Sequence, residues 1–236
     1  MTVLAPTAAV TIPSRHGDAE VLLDQGASPS LLLAITHGAG GGVETPDLLA
    51  VRDAAAALGA TVARVVQPYR VRGGRAPGSQ NRQDEAWIDV IGALREMAER
   101  PRPGEAGRRG EAGRRGDAGR RGEAPGRVRL IVGGRSNGAR LACRTARAAG
   151  AEAVIALSFP LHPPGHPERS RRAELLAAGV DVLAVSGARD PFGIPEPSDA
   201  AQVVVLEGQG HSLSRAPAEV AAAVSSWISE RMSGGG

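Results

Sequence analysis

The sequence has little sulfur, few aromatic rings and no lysine. Of its 236 residues one is cysteine, Cys143, and this single thiol excludes an internal disulfide. Cys and His are also not clustered at the spacings of a structural zinc site. The shortage of aromatics argues against the RRM and OB surfaces on which nucleic-acid bases stack. The core must be built from Ala, Val, Leu and Ile, because the aromatic residues are few: Trp87, Trp227, Tyr69, Phe159 and Phe192.

Long apolar runs are missing as well. No segment approaches the roughly 20 apolar residues of a membrane-spanning helix, and the first residues lack the charged and then apolar order of a signal peptide. We therefore expect a cytoplasmic protein with no membrane partner. A chain of 236 residues is long enough for one domain with a full core, so we predict a single domain over 1–236.

Positive charge is concentrated in one segment. The net charge is +3, yet residues 101–127 hold eight Arg and four acidic residues, which leaves twenty Arg and twenty-one acids elsewhere. From Gly104 this segment repeats GEAGRR with almost no apolar content, so it cannot offset the entropy of ordering. We predict a disordered insertion there. Its alternative is a tether to nucleic acid or another polyanion, but nucleic acid is not expected as a partner of the fold itself.

Outside that segment, short apolar runs alternate with stretches of helical periodicity, which is typical of a parallel sheet with crossover helices. After the first two, the runs are nearly continuous, as in strands covered on both faces. We predict an α/β fold with a mostly parallel sheet, helices on both faces and no cap domain. The predicted strands are 9–12, 20–24, 31–36, 61–67, 128–132, 153–158, 180–186 and 202–206.

Four helices fit between these strands. The first is capped by Thr45, has proline at its first position and ends at Gly59. The second spans about 82–100, the third 136–149, and the last begins at Pro217.

The segment Gly134–Arg135–Ser136–Asn137–Gly138 matches GxSxG and lies between a predicted strand and a predicted helix. That setting is the one required by a nucleophile elbow, in which the serine occupies a strained turn. Side chains two residues before and after the serine would collide with neighbouring backbone, and glycine removes the collision. Ser136 is therefore the candidate nucleophile. The alternative is an ordinary capping serine at a glycine-rich helix start.

A nucleophilic serine needs a base, and the base needs a carboxylate that orients it. Asp190 follows the strand 180–186, and His211 follows the strand 202–206. With Ser136 they stand in the order Ser, Asp, His, just beyond the carboxyl ends of parallel strands, where open α/β sheets place their sites. We predict these three as the catalytic residues. The competing carboxylates are Asp181, Glu196 and Asp199.

The glycine-rich segment ITHGAGGG begins at Ile35, leaves a strand and precedes a helix. Its backbone N–H groups can face the site, so we predict an oxyanion hole from the N–H groups of Ala39 and Asn137, with Gly40 replacing Ala39 as the alternative. Such a turn could instead bind phosphate, but neither GxGxxG nor GxxxxGK[ST] is present. His37 is expected to brace the turn, and His37 and Gly40 are also assigned to the substrate site.

The segment FPLHPPGHPE follows the strand 153–158. His162 and His166 have the spacing of a metal pair on a helix, but the prolines around them exclude a helix. No metal and no cofactor are expected. We predict instead a stiff loop that forms a wall of the substrate site, with Phe159 and Leu161 as apolar contacts.

The stretches THGAGGG, GGRSNGARLA, FPLHPPGHPE, SGARDPFG and GQGHSL resemble the alpha/beta-hydrolase superfamily. Within it they are similar to the small dienelactone-hydrolase-like group, whose eukaryotic relatives include a subunit of a chromatin acetylation complex. The resemblance covers nearly all of 31–230 except the insertion and implies Ser136 as nucleophile, Asp190 as acid and His211 as base. Asn137 departs from the usual apolar residue and Ala139 from the common glycine.

From residues and resemblance together we expect an enzyme, a serine hydrolase that cleaves a small acyl ester, thioester or lactone through an acyl-enzyme. Its partner is a small-molecule acyl substrate. The alternative functions are a non-catalytic interaction module with the same fold and polyanion binding through the Arg-rich repeat.

Overall fold

The computed structural model describes residues 7–28, 30–100 and 128–233. The predicted insertion at 101–127 lies outside the described residues. Eight strands form one sheet: β1 (Ala8–Ile12), β2 (Ala19–Asp24), β3 (Leu31–Thr36), β4 (Thr61–Val66), β5 (Arg129–Arg135), β6 (Ala153–Leu157), β7 (Asp181–Gly187) and β8 (Gln202–Leu206). The helices are α1 (Pro46–Ala57), α2 (Pro68–Val71), α3 (Gln80–Glu99), α4 (Asn137–Thr145), α5 (Arg172–Leu176) and α6 (Pro217–Ser233), with a 3-10 turn at Pro197–Asp199.

The sheet is mostly parallel, as predicted. Its strand order is β1-β2-β4-β3-β5-β6-β7-β8; β2 is antiparallel to both of its neighbours, and every pair from β4 to β8 is parallel. The order reverses direction between β3 and β5, and ligand sites of open α/β sheets lie beside such a point. In the part of the chain that the structure describes, no separate cap domain is evident.

Helices cover both faces of the sheet, so the core has two halves. Successive strand residues point to opposite faces, and Leu32 and Ala34 pack on one side while Leu33 and Ile35 pack on the other. Side chains of α3, α4 and α5 cover the first face. Helices α1 and α6 cover the second, where Trp227 is fully buried.

Some element boundaries differ from the sequence prediction. Strand β5 continues to Arg135, beyond the predicted end at 132, because Gly133 and Gly134 still pair with Ile155 and Ala156 of β6. Helix α4 is shorter than predicted at both ends, since Ser136 lies in the turn before it and residues 146–150 form turns. The short helices α2 and α5 and the 3-10 turn lack enough residues to show a period. None of the described helices is long and apolar enough to cross a membrane.

Candidate active site

Three loops at one edge of the sheet carry the predicted catalytic residues. Ser136 lies between β5 and α4, Asp190 lies three residues after the end of β7, and His211 follows β8. Because β5, β7 and β8 all run in the same direction, the three residues are brought to the same edge.

The backbone at Ser136 has the strained shape predicted from GxSxG. Its φ of 55° and ψ of −114° lie in a region that side-chain-bearing residues rarely occupy. A Cβ at Gly134 would lie 2.7 Å from the carbonyl oxygen of Thr36, and a Cβ at Gly138 would lie 2.7 Å from the carbonyl oxygens of Thr36 and His37. Glycine at both positions therefore lets the turn press against β3 and holds Ser136 at its tip.

Backbone contacts hold the Asp190 and His211 loops together. The N–H of Arg189 donates to the carbonyl of Gln209 at 2.9 Å. A Cβ at Gly187 would lie 2.4 Å from the carbonyl oxygen of Gly210, so glycine allows the two loops to approach this closely.

The three side chains form a continuous hydrogen-bonded chain. His211 Nε2 lies 2.9 Å from Ser136 Oγ, and His211 Nδ1 lies 2.8 Å and 3.0 Å from the two carboxylate oxygens of Asp190. The Asp190 side chain is fully buried, while 19% of the His211 side chain is exposed. The N–H of Phe192 also donates to Asp190 Oδ1 at 2.9 Å, which fixes the carboxylate.

This arrangement determines which imidazole nitrogen carries the proton. A carboxylate can only accept hydrogen bonds, so His211 Nδ1 donates to Asp190 and a neutral imidazole leaves Nε2 free to accept from the Ser136 hydroxyl. A base in this state can remove the serine proton during an attack on a carbonyl carbon.

The competing carboxylates are engaged elsewhere. Asp181, at the start of β7, accepts from Arg231 at 2.8 Å. Asp199 accepts from Arg172 Nε and from the backbone N–H of Glu196. Glu196 is exposed. Among the four candidate carboxylates, Asp190 is the one in contact with His211.

The glycine-rich turn lies beside the serine. A Cβ at Gly38 would be 3.4 Å from the Ser136 Cβ, and the Tyr69 hydroxyl donates to the carbonyl of Ala39 at 2.8 Å. Asn137 is the first residue of α4, where backbone N–H groups have no partner within the helix. Gly40 is exposed in the same turn, with open space where a Cβ would be.

His37 has a structural position. It is fully buried; its Nδ1 donates to the Gly38 carbonyl at 2.8 Å, and its Nε2 accepts the N–H of Gln67 at 3.1 Å. Burial lowers the pKa of the imidazole, which the Gly38 carbonyl partly opposes. The bracing role fits this geometry, but the assignment of His37 to the substrate site is corrected, because its side chain has no exposed surface.

Phe159 requires the same correction. Its side chain is fully buried in the core on the α3 and α4 side of the sheet, so it forms no wall of an open site. Leu161 is half-buried and packs against that core.

The two histidines of the same loop have other partners: His162 Nδ1 donates to the Pro163 carbonyl, and His166 pairs with Glu168. Within the described ranges, no group of three or more His, Cys, Asp or Glu is placed to hold a metal ion.

Sequence reasoning missed two residues of this site. The Phe192 ring lies against the His211 imidazole, with the ring centres 4.2 Å apart. Arg135 donates from Nη2 to the His211 carbonyl and pairs through Nε with the buried carboxylate of Asp47 at 2.9 Å. Their signal was position alone: Phe192 is two residues after Asp190, and Arg135 directly precedes Ser136.

Comparison with known proteins identifies the same architecture. The model of the alpha/beta hydrolase domain family matches residues 119–225. A Xanthomonas campestris protein described as an alpha/beta serine hydrolase without lid is 16% identical with a TM-score of 0.63, and the match covers 96% of each chain. The chain has the alpha/beta-hydrolase fold. This confirms both the predicted fold and the resemblance to the superfamily.

Two further structures share the alpha/beta-hydrolase fold over nearly their whole length. Est1E from Butyrivibrio proteoclasticus is 15% identical, covers 95% of this chain and 99% of its own, and has a TM-score of 0.67. The dienelactone hydrolase from Anabaena variabilis is 14% identical, covers 95% and 97%, and has a TM-score of 0.65. Comparison with curated proteins gives no match. The likeness to the chromatin-complex subunit stays a prediction.

Proposed function

We propose that this alpha/beta-hydrolase-fold protein is a serine hydrolase that cleaves a small acyl ester. The observation that carries the proposal is the chain of hydrogen bonds from Ser136 Oγ through His211 to the buried Asp190 carboxylate. The structural neighbours described as a serine hydrolase and a dienelactone hydrolase support the same class of chemistry.

The reaction follows from the geometry in two steps. His211 Nε2 removes the hydroxyl proton as Ser136 Oγ attacks the ester carbonyl carbon. When the tetrahedral intermediate collapses, the bond to the alcohol oxygen breaks, and the alcohol leaves with the proton returned by His211. Water then attacks the acyl-enzyme, again with His211 as base, and releases the acid and free Ser136.

The negative charge of each tetrahedral intermediate needs hydrogen-bond donors. We infer that the backbone N–H groups of Ala39 and Asn137 supply them, with Gly40 replacing Ala39 as the alternative. Supporting this, the Gly38 backbone lies against Ser136 and Asn137 begins α4. Leu161 and Gly40 remain proposed contacts of the substrate.

Hydrolysis of short and medium 4-nitrophenyl esters, beside a lactone and a thioester, tests the proposal. Wild type and Ser226→Ala, an exposed serine on α6, are expected to hydrolyse one of these classes equally. Ser136→Ala and His211→Gln are expected to lose about 10⁴-fold or more of kcat. Equal turnover by wild type and Ser136→Ala would overturn the proposal, as would no turnover of any substrate, which would favour a non-catalytic module.

A further inference from the structure

A cavity of about 500 Å³ lies next to the candidate active site and is not used by the mechanism above. It is lined by the chain between β4 and α3, by the start of α3 and by the turn between β1 and β2. Its apolar surface comes from Val65, Ala86, Trp87 and Val90. A cavity of this size holds a small organic group.

Hydrogen bonds connect the walls of this cavity with the reacting centre. Tyr69, in one wall, donates to the Ala39 carbonyl, and Gln83 Oε1, in another, accepts from the Asn137 side chain at 2.8 Å. Two lining residues of the cavity therefore contact the two residues proposed for the oxyanion hole.

The cavity is positively charged. Its titratable lining residues are Arg15, His16, Tyr69, Arg72 and Arg82, and no Asp or Glu lines it. The Arg15 charge is neutralised, because Arg15 pairs with Asp89 at 2.8 Å, and the His16 ring contacts the carboxylate of Glu85 at 2.5 Å.

Two other arginines of the lining, Arg72 and Arg82, have no carboxylate partner among the described residues. Arg72 donates to the carbonyl of His16 at 2.6 Å, a contact that leaves its charge in place. The Arg82 side chain makes no hydrogen bond or ion pair within the described ranges. Arg82 also lies in the first turn of the 20-residue helix α3, where no acidic side chain offsets the positive end of the helix dipole.

We propose that this cavity binds an anionic group, a carboxylate or a phosphate, on the ester that reacts at Ser136. This inference rests on the proposed function. Guanidinium groups bind the oxygens of both anions through paired hydrogen bonds, and the apolar surface accepts the short hydrocarbon between the anion and the ester. The substrate class is thus an ester with a negative charge a few bonds from the scissile carbonyl.

Two matched pairs of esters test the inference. One pair is the mono-4-nitrophenyl ester of glutaric acid and its neutral methyl diester, with the charge on the acyl side. The other is the acetyl ester of 3-hydroxybenzoate and that of 3-hydroxybenzamide, with the charge on the alcohol side. In at least one pair we expect kcat/KM to be about 10-fold higher for the anion through a lower KM, and salt to reduce this preference.

Arginine variants test whether the preference for the anionic ester comes from this cavity. Arg72→Gln combined with Arg82→Gln is expected to abolish the preference and leave kcat/KM for the neutral ester unchanged. Arg82→Gln alone breaks no contact and is expected to lower the preference several-fold. Arg75→Gln, an exposed arginine of the same loop outside the cavity, is the control and is expected to behave as wild type.

Binding supplies a readout that does not depend on turnover. Glutarate or inorganic phosphate is expected to raise the melting temperature of wild type and of Arg75→Gln, but not of the double variant; the two anions distinguish carboxylate from phosphate recognition. Hydrolysis without any preference for the anion, or a preference kept by the double variant, would overturn this inference alone. Anion binding without hydrolysis of any ester would overturn the proposed function and keep the anion site.

Discussion

The guanidinium of Arg135 donates from Nη2 to the backbone carbonyl of His211 at 3.2 Å. The same side chain pairs through Nε with Asp47 at 2.9 Å, and the Asp47 side chain is fully buried at the start of α1. Arg135, which directly precedes Ser136, therefore connects the loop of the proposed base, His211, to helix α1. We regard it as a positioning residue.

Replacing Arg135 is expected to lower kcat more than it changes KM. In Arg135→Gln combined with Asp47→Asn, the His211 loop loses its anchor without leaving a buried charge unpaired. We expect kcat to fall about 10-fold, since a misplacement of about 1 Å can cost roughly 100-fold and this one is smaller. Steady-state kinetics on a neutral ester measure this. Asp47→Asn alone separates the two contacts, because it removes the ion pair and leaves the Arg135 donor to the His211 carbonyl in place. A double variant with wild-type kcat would show that Arg135 has no positioning role.

Two Gly→Ala substitutions, one beside Ser136 and one on α3, are expected to change the free energy of unfolding in opposite directions. Gly138→Ala is expected to destabilise the fold by about 1–3 kcal/mol or more, because its Cβ would meet two backbone oxygens 2.7 Å away. Gly92→Ala, on the exposed face of α3 with nothing within 4 Å, is expected to stabilise by about 0.5–1 kcal/mol. Urea unfolding measures both. A Gly138→Ala protein as stable as wild type would contradict the close approach of this turn to β3.

His37 predicts a pH-dependent contribution to stability. Burial lowers its pKa in the fold, so in the unfolded chain it binds a proton near pH 6.5, where the folded protein does not. The contribution of His37 to the free energy of unfolding is therefore complete above about pH 6.5. It decreases as the pH falls from there through the lowered pKa of the folded state. The difference in free energy of unfolding between wild type and His37→Gln should shrink between pH 7 and pH 5. A difference independent of pH would contradict this assignment.

Cys143 is expected to be unreactive in the folded protein. The thiol is fully buried on α4, and burial raises its pKa to about 12, so it stays protonated at pH 8. Ellman's reagent should therefore react with the thiol in guanidinium chloride and react negligibly in native buffer. Native reaction at the rate of a free thiol would show that α4 opens or that the thiol is exposed.

Much of this architecture could be predicted from the sequence because strands and the residues that follow them leave local patterns in it. Strands buried on both faces appear as continuous apolar runs, and the triad residues each follow such a run, so the parallel order alone predicted that Ser136, Asp190 and His211 share one edge. What the sequence could not show is where a side chain points once a strand has ended. Phe159 was assigned to the substrate site and lies in the core, whereas Phe192 was given no role and lies against His211.

The cavity and Arg135 were missed for a related reason. Arg72 and Arg82 are far from Ser136 along the chain, and only the packing of α3 against the chain after β4 places their cavity beside the glycine-rich turn. Arg135 contacts Asp47 and His211, which are distant in sequence, so no spacing in the chain indicates its role.

Covalent labelling by a fluorophosphonate probe, mapped to a residue by peptide mass spectrometry, tests the central claim most directly. The probe phosphorus bonds to an activated serine oxygen and expels fluoride. We expect one adduct, on Ser136, in wild type and in Ser226→Ala, much slower labelling in His211→Gln, and no adduct in Ser136→Ala. An adduct on a different serine, or wild-type protein left unlabelled, would contradict an activated Ser136.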